Sequence, residues 1–292
     1  MDIKRNYHSH TARCGHAIGA DEEYIKAAIE AGFEVYGISD HAAYVKPYDH
    51  ERMRVEMVDE YLSAVASYKE KYKDQIKIYC GMEVENYPSQ MKTLMHYRKI
   101  LDYCILGQHC LELDTESSYH FTEPEQLIRY AERLVDAMNM GLVDYIAHPD
   151  LPMYGYPVWD EACDKMAHMI CQAAIDNDIP LELNTGAIRY GKKRYPGGER
   201  YAYPNREFYA IAEQYQCKIM VGMDLHDPGH ILDPYYRNEA LKIVEGLNLN
   251  FCQNEDIVAA AARRKKALFN TSQRVFTRED EEMLNETDFI EL

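Results

Sequence analysis

The chain has 292 residues, is 47% hydrophobic and 28% charged, and carries a formal charge of −17 at pH 7. That length suits one α/β barrel, and no run approaches the ~18 apolar residues of a membrane span. So acidic a surface repels phosphate backbones, which argues against a nucleic-acid partner and for a small-molecule substrate.

The start leads straight into the first motif with no signal-peptide pattern, so the expected location is the cytoplasm. The 8 cysteines show no C-x-x-C pairing and read as reduced, buried side chains. Cys14 and Cys110 are set apart because each neighbours a candidate ligand.

In chain order, a strand at 4–8 ends in His8-Ser9-His10-Thr11. Residues i and i+2 of a strand share a face, so His8 and His10 aim at one point. His16 lies in the next loop, before a helix at 21–31. A strand at 34–39 runs into Asp40-His41, and a helix follows at 55–73. A strand at 76–84 ends near Gly81-Met82-Glu83-Val84-Glu85, with a helix at 89–99. A strand at 103–106 leads to Gly107-Gln108-His109 and a loop holding Glu112 and Asp114, then a helix at 123–140. A strand at 145–147 ends in His148-Pro149-Asp150, with a helix at 159–177. After a strand at 180–183, residues 185–205 read as a long basic loop with Arg189, Lys192, Lys193, Arg194 and Arg200. A helix at 205–215 and a strand at 218–221 precede Asp224-Leu225-His226-Asp227, and a last helix spans 235–246. Residues 1–270 read as one domain, and 271–292 as an acidic tail, helical or partly disordered.

Strand–helix alternation with short turns implies a parallel sheet or barrel. The expected strands number seven, one short of the usual eight-strand barrel. His8, His10, His16, His41, Glu83, His109, His148, Asp224 and His226 all fall at or just beyond strand carboxyl ends, where parallel folds gather their sites. Imidazole suits Zn, Fe and related ions, and a carboxylate can bridge two of them. Packing alone does not explain so many histidines at successive strand ends. Glu85, Asp40, Asp150 and Asp227 read as supports for the ligands or as plain strand-end carboxylates. His50, His96, His120, His168 and His230 read as surface or local structure, with His120 and His230 retained as possible substrate contacts.

The series His8-Ser9-His10-Thr11, His16, Ser39-Asp40-His41, Gly81-Met82-Glu83, Gly107-Gln108-His109, Ala147-His148-Pro149 and Met223-Asp224-Leu225-His226 resembles the PHP (polymerase and histidinol phosphatase) family of metal-dependent phosphoesterases. The resemblance implies an α/β fold, a distorted (β/α)7 TIM-like barrel, and three divalent ions of Zn, Mn or Fe. By carry-over, His8, His10, Glu83 and Asp224 hold one ion. Glu83 bridges to a second with His109 and His148, and His16, His41 and His226 hold a third. A metal-bound water held by Glu83, Asp224 and His226 is the implied nucleophile, and no protein nucleophile motif such as G-x-S-x-G is present. Three divalent ions outweigh two carboxylate ligands, so the site attracts phosphate despite the acidic surface.

Glu182-Leu183-Asn184-Thr185-Gly186-Ala187-Ile188-Arg189 followed by Tyr195-Pro196 is similar to the histidinol-phosphatase branch of that family. That points to a phosphomonoesterase converting L-histidinol phosphate to L-histidinol and phosphate, a step of histidine biosynthesis. Arg189 is the expected phosphate clamp, since a guanidinium matches phosphate oxygens bidentately. Glu182 or Glu112 could receive the cationic end of the substrate, and Lys192, Lys193 and Arg194 read as solvated loop charges. A broader small-metabolite phosphatase or phosphodiesterase is the alternative. An amidohydrolase-type C–N hydrolase is weakened by Glu83 where that class often has a carboxylated lysine. A metal-binding protein without catalysis is the remaining reading.

Overall fold

The computed structural model describes residues 3–44 and 51–270. His50 and the tail at 271–292 lie outside the described residues.

Eight parallel strands form the main sheet: β1 (Arg5–Asn6), β2 (Val35–Ile38), β3 (Lys77–Val84), β4 (Tyr103–Leu106), β5 (Tyr145–Ile146), β6 (Leu181–Asn184), β9 (Lys218–Gly222) and β10 (Asn250–Phe251). A small antiparallel hairpin, β7 (Lys193–Tyr195) with β8 (Gly198–Arg200), stands apart from it. The intervening helices are α1 (Asp21–Glu30), α2 (Val58–Lys71), α3 (Met91–Ile100), α4 (Pro124–Asn139), α5 (Glu161–Asp176), α6 (Arg206–Tyr215), α7 (Tyr235–Ile243) and α8 (Ile257–Phe269).

Local sequence explains the elements. In α4, Pro124 sits in the first turn, where its missing N–H costs nothing. Buried Leu127, Tyr130, Ala131, Leu134, Ala137 and Met138 recur at helical spacing and pack on the sheet. In β3, alternation sends Tyr79, Gly81 and Glu83 to the barrel interior and Ile78, Cys80, Met82 and Val84 to the helices.

The sheet curls until its ends meet. The His10 N–H donates to the Leu225 carbonyl at 2.8 Å, and Ser9 and Leu225 form a parallel bridge. At the other end of the barrel Gln253 ties Val221 to Arg5, accepting from one backbone and donating to the other. The result is a distorted (β/α) barrel. Its lower interior is filled by Tyr7, Tyr79, Tyr103 and Tyr145, closed off by Ile257 and Ala261 of α8. Much of the tyrosine content therefore serves as core, and the hydroxyls of these four find partners: that of Tyr103 donates to the Tyr7 carbonyl at 2.7 Å, and that of Tyr145 to Glu182 at 3.0 Å. The polar side chains of the motifs lie above this layer.

All seven expected strands form, with ends shifted by a residue or two. Three features differ from expectation. The two-residue β10 joins the sheet beyond the last expected strand. Helix α8, whose alanine run gives little contrast between its faces, lies beyond the last expected helix. Residues 185–205 are not a featureless loop: a helical turn at Gly186–Tyr190 leads into the β7–β8 hairpin. None of the helices among the described residues is long and apolar enough to cross a membrane.

Candidate metal centre

The His-x-His motif works as its spacing requires. Ser9 points outward and donates to the Gly37 carbonyl, so His8 and His10 turn inward. Their Nε2 atoms lie 3.0 Å apart. Both face Glu83, which is buried at the end of β3. Glu83 Oε2 is 3.4 Å from His8 Nε2, 3.3 Å from His10 Nε2 and 3.1 Å from His41 Nδ1. Its other oxygen, Oε1, is 2.9 Å from His148 Nε2 and 3.6 Å from His109 Nε2. One carboxylate thus has a separate set of imidazoles on each oxygen, the arrangement of a bridging ligand. Gly107 makes room for it, because a Cβ there would stand 1.8 Å from Oε1. Asp224 Oδ1 closes the ring at 3.6 Å from His8, 3.4 Å from His10 and 3.3 Å from His226.

Toward solvent, His226 Nε2 meets His16 Nε2 at 2.9 Å. The His10 ring stands between those of His41 and His226, 4.3 Å from each. All nine expected ligand positions therefore belong to one continuous cluster. Within it, ligand atoms close enough to share an ion group as His8–His10–Glu83, His8–His148–Asp224, His41–Glu83–His109 and His10–His41–His226. These groups overlap the three implied by the family resemblance without reproducing their division. His148 lies with His8 and Asp224 as well as with Glu83, and His16 meets His226 at 2.9 Å. His148 and Asp224 have positive φ, 26° and 46°. Such strain in non-glycine residues recurs at functional sites.

The donor set fits divalent metal ions. Both oxygens of Glu83 are buried and accept no hydrogen bond. Burial opposes charge on Glu83, but His41, His8 and His109 more than reverse this and hold its carboxyl well below the usual range. Burial likewise disfavours a charged His8, yet Glu182, Glu83 and Asp224 push its pKa up to about 10. His8 Nδ1 lies 2.8 Å from Glu182, so its Nε2 is free of a proton in the neutral ring and turned toward Glu83 and His10.

The neighbouring carboxylates have distinct contacts. Glu85 accepts from His109 Nδ1 at 3.1 Å and from Arg52 and Tyr87. Asp40 accepts from the Thr11 backbone and hydroxyl, fixing the His-x-His-Thr turn. Asp150 accepts from the Asn205 backbone, and Asp227 caps the turn at Pro228–Ile231. Cys14 is buried and donates to the Thr11 carbonyl; burial opposes its thiolate, but His10 and His16 bring the thiol down to about 6. Cys110 bridges to Ser117 in the rim loop.

Above the cluster lies a cleft of about 350 Å³. Arg189 lines it, its guanidinium donating to the Asp224 carbonyl at 2.8 Å and lying 4.8 Å over the Tyr190 ring. Tyr119, Tyr154 and Tyr203 form a wall; the first two stand perpendicular, with centroids 5.1 Å apart. Glu51 and His120 also line this cleft. Sequence reasoning missed the tyrosines and Glu51, because nothing in their spacing separates them from the core tyrosines or from surface acids. Glu182 is fully buried on His8, and Glu112 bonds Ser89 away from the cleft, so neither reaches a substrate. Lys192 and Arg194 are exposed, as expected of solvated loop charges, while Lys193 is half-buried over the Tyr154 ring. His230 bonds Tyr236 and His168 bonds Tyr215.

Residues 6–186 match the PHP domain family. The chain belongs to the PHP family. Among curated relatives, a probable histidinol-phosphatase of Deinococcus radiodurans is 29% identical over 77% of this chain and 86% of its own length. A probable histidinol-phosphatase of Schizosaccharomyces pombe is 26% identical over 77% of this chain and 81% of its own. Among solved structures, a histidinol phosphate phosphatase of Lactococcus lactis, complexed with Zn, L-histidinol and phosphate, superposes with a TM-score of 0.65. It is 17% identical, covering 85% of this chain and 95% of its own, which establishes a common fold.

Proposed function

We propose that this PHP-family chain is a metal-dependent phosphomonoesterase that hydrolyses L-histidinol phosphate to L-histidinol and phosphate. The observation that carries this reading is Glu83: a buried carboxylate ringed by imidazoles at the floor of a cleft that also holds Arg189. The two named relatives supply the substrate. His8, His10, Glu83 and Asp224 would hold one ion, Glu83, His109 and His148 a second, and His16, His41 and His226 a third, the metals being Zn, Mn or Fe.

When bound, ions in such a cluster neutralise phosphoryl charge and acidify water. The chain's own residues do the rest. Arg189 presents its guanidinium to the phosphate oxygens from the wall of the cleft, pre-oriented by the Asp224 carbonyl and the Tyr190 ring. Tyr119, Tyr154 and Tyr203 offer aromatic faces to a cationic or heteroaromatic leaving group, as the ammonium and imidazole of histidinol require. Glu51 adds a carboxylate to the cleft lining.

The test is phosphate release from histidinol phosphate beside sugar, amino-acid and nucleotide monophosphates. Histidinol phosphate is expected to exceed the others in kcat/KM by about tenfold or more, within what pocket contacts supply. Comparable values across the panel would replace the specific assignment with the broader small-metabolite phosphatase.

A further inference from the structure

We infer that Glu182 is a positioning residue that holds three candidate ligands, His8, His148 and Asp224, in metal-binding geometry. The inference rests on the metal-site reading above and not on the identity of the substrate. Glu182 lies on β6, fully buried. Its Oε1 accepts from His8 Nδ1 at 2.8 Å and from the Tyr145 hydroxyl at 3.0 Å. Its Oε2 accepts from the His148 backbone N–H at 2.9 Å and from the Asn184 amide at 2.7 Å. The same Asn184 nitrogen reaches Asp224 Oδ2 at 3.2 Å. One carboxylate thereby fixes the tautomer and rotation of His8, steadies the strained backbone of His148, and connects through one amide to Asp224. Gly222 is required beside it, since a Cβ there would stand 1.7 Å from Oε1.

The charge balance points the same way. Glu85, which supports His109, is neutralised by a bidentate Arg52. Glu182 pairs with no lysine or arginine among the described residues; its one donor able to carry a positive charge is His8. A fully buried carboxylate needs a counter-charge. Here that charge is reached through the imidazole, so Glu182 raises the basicity of His8 Nε2 where the cluster binds cations.

The experiment is Zn2+ affinity of the full chain, measured by competition with a chromogenic chelator, for the native protein and Glu182→Gln. Glutamine keeps the shape but turns one acceptor into a donor that faces donors. The expected result is native folding by circular dichroism, a roughly 10- to 100-fold loss of affinity for the tightest-bound ion, and recovery of phosphatase activity in excess metal. Unchanged affinity overturns the inference, as does lost affinity that comes with lost activity that metal does not restore. Should Glu182→Gln not fold, Asn184→Ala leaves the carboxylate on His8 and cuts only the connection to Asp224. A several-fold loss is then expected, and native affinity overturns the inference. A native protein that binds no metal would instead remove the metal-site reading itself.

Discussion

The deep and outer halves of the ligand cluster are built differently. His8, His10, Glu83, His148 and Asp224 are buried, and carboxylates lie against them on several sides: Glu182 bonds His8, and Glu83 and Asp224 face His8 and His10. His16 and His226 stand nearer solvent; His16 Nδ1 lies 3.3 Å from the Cys14 carbonyl, and His226 Nδ1 lies 3.1 Å from the Asp224 carbonyl as well as 3.3 Å from its carboxylate. A neutral carbonyl fixes a ring but adds little to its basicity, whereas a buried carboxylate does both. This difference leads us to propose that the deep half would bind its ions more tightly and the outer half would exchange them more readily.

Substitutions that separate the halves have the largest expected effect. Asp224→Asn removes a ligand charge shared by His8, His10 and His226, and turnover should fall by roughly 1,000-fold or more at any metal concentration. His16→Ala removes one outer ligand, and its loss of turnover should be smaller and largely reversed by added Zn2+ or Mn2+. Steady-state kinetics across a metal titration checks both. Equal, metal-insensitive losses in the two variants would erase the distinction.

Gentle metal removal should show the same order with a smaller change. Dialysis against a weak chelator is expected to release one ion per chain before the rest, with activity falling in that first step while thermal stability stays near native. A later step should then lower the melting temperature, because losing the deep ions leaves Glu83, Asp224 and Glu182 buried without their counter-charges. Elemental analysis alongside a melting curve follows both steps. Loss of all metal in one step with one drop in stability would mean that the halves are energetically a single site.

The deep half was also the more legible in the sequence. His-x-His and the bridging Glu83 depend on strand alternation alone, a local rule that survives errors of a residue or two at strand ends. The parallel alternation likewise specified the barrel. What the sequence hid depends on contacts between distant segments. Glu182 lies two residues before Asn184, and only the barrel's closure brings His8 to it from 174 positions away. The cleft wall draws Tyr119, Tyr154 and Tyr203 from three loops whose tyrosines look like those that fill the barrel. In the basic stretch at 185–205 the exposed charges were legible, but the placement of Lys193 over the ring of Tyr154, from another segment, was not.

Arg189 gives the finest test, because it touches both the cleft and the backbone of a deep ligand. Its Nη1 donates to the Asp224 carbonyl, the same oxygen that orients His226 Nδ1. As a phosphate clamp, Arg189→Ala forfeits a charge-assisted hydrogen bond to substrate, about 1.5–3 kcal/mol, and KM should rise roughly 10- to 100-fold with metal content intact. As a brace for the outer half, the same variant should leave KM near native and weaken the exchangeable ion, with activity returning in excess metal. Arg189→Lys sharpens the choice, since a lysine keeps the charge but loses the planar fork that reaches phosphate and carbonyl together. A KM defect that Lys only partly repairs, at constant metal content, identifies the clamp.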